Sequence, residues 1–422
     1  MRNKILLIAL LFLSICMPAQ ASLIYLNDFS NGNIDANYSL GDGTATFART
    51  GGNGTYIDKY GTMQLEASAD TGRLTYGFYN ETGYHAYSEG QGLTIEGAAT
   101  NYLTYSKDFS HGDWTNSNIT VDADSATSPD STANADTLTA GAGNATILQA
   151  ETWVSVANTG SIFLKRKTGT GNIDITTDGG STWTTVTLTT GWTRQFKTQT
   201  LADPSFGIRI VTSGDAVYAW GAQLEKNLYA TSFIPTTTTA VTRNAETCKY
   251  ATLLNRSAGV ESCIVKCSPF FATNGVPIQA FITGTDTKDR RFYFDSDNDA
   301  LIYPNSTDSS SCAIGDLIND TWTANSLITL GYNIQHSSPY IAGFYQGVAD
   351  GTNETTDDFT TNAWGTSWWL GSKNTGTLQF NGVIHSIAFF DEVLTDAQHL
   401  AYYNGNVTVL ELSGIEMSGL AA

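Results

Sequence analysis

VYAWGAQLEKNLYATSFIPTTTTAVTR, residues 217 to 243, decides how this chain is to be read. Trp220, Gly221, Ala222, Gln223, Leu224 and Glu225 stand in a row. Ala230, Thr231, Ser232, Ile234 and Pro235 follow, and Thr242 and Arg243 close the stretch. The four threonines from Thr236 to Thr239 have the composition of a linker and divide the chain in two. Upstream, Phe206, Ile208 and Ile210 alternate with Gly207, Arg209 and Val211. Ile173–Thr176 leads through the turn Asp178-Gly179-Gly180 into 182–186, the pattern of a hairpin. Downstream, Arg291–Phe294 and Ala300–Tyr303 flank a second turn. A chain of 422 residues is long for one sandwich and comfortable for two. The expected fold is therefore all-β: two tandem antiparallel β-sandwiches (jelly rolls) with one short C-terminal helix. That helix is expected after Thr395, where Gln398 completes a capping box and Gly405 ends the turn.

The same stretch resembles a motif of bacteriophage tail-fibre and other surface proteins. There a "W-G-A-Q-L-E … A-T-S-Y-I-P-T … T-R" pattern closes a carbohydrate-binding-module-like jelly roll ahead of a lectin-like sandwich. Phe233 stands here for the usual Tyr. Further matches are Thr46-Phe47-Ala48-Arg49, Tyr56-Ile57-Asp58-Lys59-Tyr60-Gly61, Gly92-Leu93-Thr94-Ile95-Glu96, Thr100-Asn101-Tyr102-Leu103, Tyr105-Ser106-Lys107-Asp108-Phe109, Trp114 and Gly191-Trp192-Thr193-Arg194. From Trp369-Leu370-Gly371 through Phe380-Asn381-Gly382 and Leu394-Thr395 to Tyr403-Asn404-Gly405, the chain is similar to the end of a laminin-G-like or concanavalin A-like sandwich. The resemblance runs from about 26 to 405. It implies lead-in strands at 22–98 that extend the first jelly roll, a jelly roll at 99–235, a linker at 236–242, a second sandwich at 243–408 and a tail at 409–422. It also implies glycan binding.

Composition narrows the partners. The 40 Asp and Glu against 21 Lys and Arg give −19, a balance that repels nucleic acid and anionic membranes. Arg2 and Lys4 precede an apolar run from Ile5 to Ile15, and Ala19-Gln20-Ala21 supplies a small-x-small cleavage site. Residues 1–21 therefore read as a signal peptide. That run is too short to span a bilayer, so secretion or display at a surface is expected, without membrane insertion. The mature chain keeps Cys248, Cys263, Cys267 and Cys312. An even count in an exported chain suggests two disulfides, with Cys263 and Cys267 each pairing with one of Cys248 and Cys312; zinc is the other reading.

Aromatic rings suit sugar faces. Trp192 and Trp220 lie within strand motifs and are expected in the core. Trp183 follows a hairpin turn, and Trp364, Trp368 and Trp369 cluster together. Neighbours on a strand face opposite ways, so one of Trp368 and Trp369 points outward. Trp364, Trp368 and Trp183 are the candidate ligand-binding residues. Asp295, Asp297 and Asp299 have the spacing of a calcium loop, but Ala300 replaces its Gly and Ser306 its bidentate Glu. Calcium and a solvated turn both remain open readings there, and no other cofactor is expected. No catalytic motif stands out: the paired carboxylates of sandwich glucanases are missing and no nucleophile elbow accompanies the five histidines. The expected function is that of a non-catalytic glycan-binding or adhesion protein, with a polysaccharide or cell-surface glycan as partner. A structural part of a virion fibre or cell-surface layer, including a homo-oligomer, and a polysaccharide-degrading enzyme are the alternatives.

Overall fold

A computed structural model describes residues 23–34, 38–39, 44–51, 54–66, 68–251, 260–272, 279–284, 291–294, 300–303, 321–335, 340–354, 367–373, 377–408 and 412. The protein is built almost wholly of antiparallel strands, with a single α-helix among the described residues. No helix among them is long and apolar enough to cross a membrane.

Residues 99–243 form one sandwich. One five-stranded sheet is ordered Thr115–Ser117, Ala145–Ala150, Ser205–Ile210, Ile173–Thr176, Thr184–Val186. The other is ordered Ile119–Ala126, Ala135–Ala140, Ala216–Glu225, Val156–Thr168, Thr193–Leu201. The alternation noted in the sequence places Phe206, Ile208 and Ile210 inward, against Leu138, Ile147, Ile162 and Leu224. Gly221 has φ +62, and the register to Val156–Thr168 slips beside it, from Ser161↔Gln223 to Phe163↔Trp220. A residue without Cβ adopts that bulge at little cost. Trp220 is buried as expected, whereas Trp192 is half-buried and donates Nε1–H to the Thr127 carbonyl.

The second sandwich is made from both ends of the chain. Leu23–Asp28 and Gly92–Ile95 each pair with Gly382–Phe390, which also pairs with Val260–Pro269. In the facing sheet Ala45–Ala48 pairs with Thr247–Ala251, which in turn pairs with Ser367–Leu370. The resemblance implied that the lead-in strands extend the first jelly roll; instead Leu23–Asp28, Ala45–Ala48, Arg73–Thr75 and Gly92–Ile95 join the sheets of the C-terminal sandwich, and the two short hairpins between them form sheets of their own. Ala99–Asn101 pairs with Val241–Arg243, so the chain enters and leaves the first sandwich side by side. The first sandwich is an insertion into the second.

Period two explains why Val260–Pro269 is buried on both faces. Cys263, Val265 and Cys267 meet the inter-sheet core, while Ile264 packs with Leu394 and Tyr402 beneath the helix Asp396–Tyr403. That helix has the expected capping box: Thr395 Oγ1 accepts from Gln398 N and Gln398 Oε1 accepts from Thr395 N at 2.8 Å. Gly405, at φ +69, follows the C-cap. No disulfide joins Cys248 to Cys263 or Cys267, so the expected pairing of Cys248 is not formed. Cys248 lies in one sheet and the other two in the facing sheet, packed among buried aromatic rings. Cys312 lies outside the described residues.

Candidate functional site

Two hairpins of the lead-in segment, Gly54–Ile57 with Met63–Glu66 and Gly77–Asn80 with Gly83–Ala86, lean across the join between the sandwiches. Ile57 and Met63 bury themselves against Ala135, Phe163, Trp220 and Phe233 of the inserted sandwich. A cavity of about 600 Å³ opens beside this seam. Its walls come from three places: Tyr56, Phe78 and Tyr79 on the hairpins; Phe163, Arg194, Phe196 and the 228–233 loop on the inserted sandwich; Phe270, Phe271 and the 323–325 turn on the other. Arg194 and Phe196 sit two apart on Thr193–Leu201 and so share a face. Phe196 is 41% exposed and Leu228 42%, large apolar surfaces open to water at the cleft.

The motif stretch shapes this cleft. Glu225 accepts hydrogen bonds from Thr231 N (3.1 Å) and Thr231 Oγ1, and Gln223 Oε1 accepts from Ile234 N (2.7 Å), folding the 228–233 loop back onto its strand. Asn101 donates to the carbonyls of Ala222 and Ile234, fixing the entry strand to the same loop.

Behind the cleft lies a latch of buried charge. Glu246 accepts from Arg49 Nη1 at 2.8 Å, from Arg73 Nε at 2.6 Å and Nη2 at 2.5 Å, and from Glu96 N at 3.0 Å. Glu96 meets Arg73 at 2.6 Å, Arg243 at 3.0 Å and Ser232 Oγ at 2.6 Å. Burial alone would raise the Glu96 carboxyl; Arg243, Arg73 and Ser232 outweigh it and hold the group at about 2. Burial raises Glu225 despite its bonds to Thr231 and Gln223. Arg194 donates to the Thr231 carbonyl (2.7 Å) and Ser161 Oγ (2.9 Å), but makes no salt bridge, and its Nε has no hydrogen-bond partner. Burial lowers its pKa, against the pull of Glu225 and Glu96.

The tryptophans expected to bind ligand do not gather here. Trp368 is 0% exposed, stacked on Tyr250 at 4.6 Å and edge-on to Tyr25 at 5.1 Å, so its assignment as a sugar platform is corrected to core. Tyr250 lies directly across the ladder from Trp368, and both point inward. Trp369 takes the opposite face, half-buried with Lys249 Nζ 5.3 Å from its ring centroid. Trp183 is half-buried beneath the Arg209 guanidinium, 4.5 Å from its ring, and is not part of the cleft wall. Trp364 and the three acids Asp295, Asp297 and Asp299 lie outside the described residues. Among the described residues no group of three or more His, Cys, Asp or Glu could hold a metal ion. The cleft escaped sequence reading because its rings come from hairpins and loops far apart in the chain. The sequence signal for it was the aromatics in and ahead of the motif, Phe196, Tyr229 and Phe233.

No family model matches the chain, and no curated protein matches it. Among solved structures it is similar to domain 4 of an extracellular arabinanase from Geobacillus stearothermophilus in complex with arabinotriose. That match is 16% identical with TM-score 0.29, covering 37% of this chain and 71% of that one. It is similar also to a Ruminococcus gnavus sialidase carbohydrate-binding module bound to α2,3-sialyllactose (14%, TM-score 0.27, 35% and 84%). A third is the binding domain of a botulinum neurotoxin in complex with rat synaptotagmin II (11%, TM-score 0.30, 38% and 40%). The chain thus spans about two fifths of that neurotoxin domain. Scores this low carry no argument about ligand or activity.

Proposed function

We propose that this is an exported, non-catalytic glycan-binding protein whose ligand lies in the cleft at the sandwich junction. The observation that carries the reading is the cavity of about 600 Å³ walled by aromatic rings from three segments. Such a cavity is the size of a small-molecule site, and the apolar faces of sugar rings pack on aromatic side chains. The N-terminal signal and the resemblance to phage surface proteins support export and surface display. A glycan array probed with the mature protein tests the reading, followed by Phe196→Ala and Leu228→Ala on any glycan retained. Both side chains are already well exposed, so both variants should stay folded and lose retention at least tenfold. Retention unchanged in both variants would remove the ligand from the cleft.

A structural role in a fibre or surface layer is the second reading. It is favoured by the use of the motif residues Arg49, Glu96 and Arg243 in the buried latch, where they stiffen a joint without touching solvent. An empty glycan array together with self-association by light scattering would support that reading. Release of reducing sugar from a bound polysaccharide would instead establish an enzyme.

A further inference from the structure

The charges behind the cleft do not balance. Among the described residues the latch holds four buried guanidinium groups, Arg49, Arg73, Arg194 and Arg243, against three buried carboxylates, Glu96, Glu225 and Glu246. Four minus three leaves one positive charge in surplus, and the raised pKa of Glu225 works against even that much compensation. The other three arginines are committed: Arg49 to Glu246, Arg73 to both Glu96 and Glu246, and Arg243 to Glu96. Arg194 is the arginine of the four that lines the cavity, and among the described residues no carboxylate lies within ion-pair distance of it, its charge being met only at longer range by Glu225 and Glu96. A buried charge compensated only at a distance is costly, and an anion arriving in a low-dielectric cleft relieves it.

We propose that the cleft selects an acidic glycan, one carrying a carboxylate or a sulfate ester, which Arg194 attracts and compensates. The inference rests on the glycan-binding reading above. The overall charge of −19 does not oppose it, because exposed acids beyond ~8 Å are screened at physiological salt whereas the cleft guanidinium is not. The surplus charge also makes a prediction that a purely apolar sugar platform would not: weakening with salt and with loss of the ligand's charge alone.

Isothermal titration with four probes tests this on the mature protein: oligogalacturonate, its full methyl ester, a sulfated galactan oligosaccharide and its desulfated counterpart. At least one acidic member should bind tenfold or more tightly than its own neutral form, and which pair shows the preference identifies carboxylate or sulfate. Arg194→Gln should erase the preference between the acidic and neutral members of a pair, while Arg194→Lys should keep most of it. Should Arg194→Gln fail to fold, the wild-type comparison and the lysine variant still decide. Equal binding of acidic and neutral forms overturns the inference and leaves the glycan reading standing. Binding of none of the four overturns the inference, and an empty glycan array beside it overturns both.

Discussion

Glu246→Ala is the sharpest test of how the two sandwiches are joined. The substitution removes the acceptor of three charge-assisted bonds, at 2.8, 2.6 and 2.5 Å, and of the Glu96 backbone N–H at 3.0 Å. Arg49 retains only the carbonyls of Gly51, Glu66 and Ser68, and Arg73 retains Glu96. Bonds to charged groups contribute ~1.5–3 kcal/mol each, so simple addition over three would give roughly 5–9 kcal/mol. Relaxation and water entry reduce this, and breaking one side of a buried ion pair costs about 3–5 kcal/mol in practice. For a domain near 200 residues, where 1 kcal/mol is worth ~2–4 °C, the expected fall in Tm is roughly 6–20 °C. Because Glu246 holds Arg73 and the Glu96 backbone, and these two hold Ser232 of the inserted sandwich, the loss should also uncouple the two sandwiches. Scanning calorimetry should then show one transition becoming two. Glu246→Gln, which keeps the shape and part of the acceptor capacity, should fall between wild type and Ala. A Tm within about 2 °C of wild type for Glu246→Ala, still as a single transition, would refute the latch as a stabilising element.

Other expectations follow from burial. His385 and His399 are held neutral, their pKa values lowered by burial to about 4 and about 3. The unfolded chain takes up these protons near pH 6.5 and the folded chain does not, so stability is lost as pH falls from about 6.5 toward 4; urea midpoints at pH 7 and pH 4.5 should differ more in wild type than in His399→Phe, and equal slopes would exclude His399. Trp368→Ala removes a fully buried ring stacked on Tyr250 and should cost ~3–5 kcal/mol, whereas Trp183→Ala should stay within about 1 kcal/mol and leave cleft binding unchanged. Cys248, Cys263 and Cys267 should react with a thiol reagent only after unfolding, and a disulfide between any two of them in non-reducing mass spectrometry would contradict the packing.

What the sequence made legible was whatever a residue settles with its near neighbours. The alternation of Phe206, Ile208 and Ile210 gave a strand with those three side chains inward, and Thr395 with Gln398 gave the helix start. Parity said that Trp368 and Trp369 face opposite ways; only Tyr250, across the ladder and itself directed inward, decides that Trp368 is the buried one. The motif arginines and glutamates were visible as a pattern, but their meaning was not. Arg49 and Glu246 are far apart in the chain, as are Arg73 and Ser232, and each pair meets because Leu23–Asp28 and Gly92–Ile95 close the same sheet as Gly382–Phe390. That closure makes the first jelly roll an insertion, and an insertion needs its two crossing strands held together. Motif residues therefore sit at the crossing: Arg243, paired with Ala99, meets Glu96 just ahead of it, and Gln223 and Glu225 pin the loop beside it. A pattern that holds a joint carries architecture first. Ligand chemistry enters only where the joint meets solvent, at Arg194 and Phe196, two residues apart on one strand and both on the wall of the cleft.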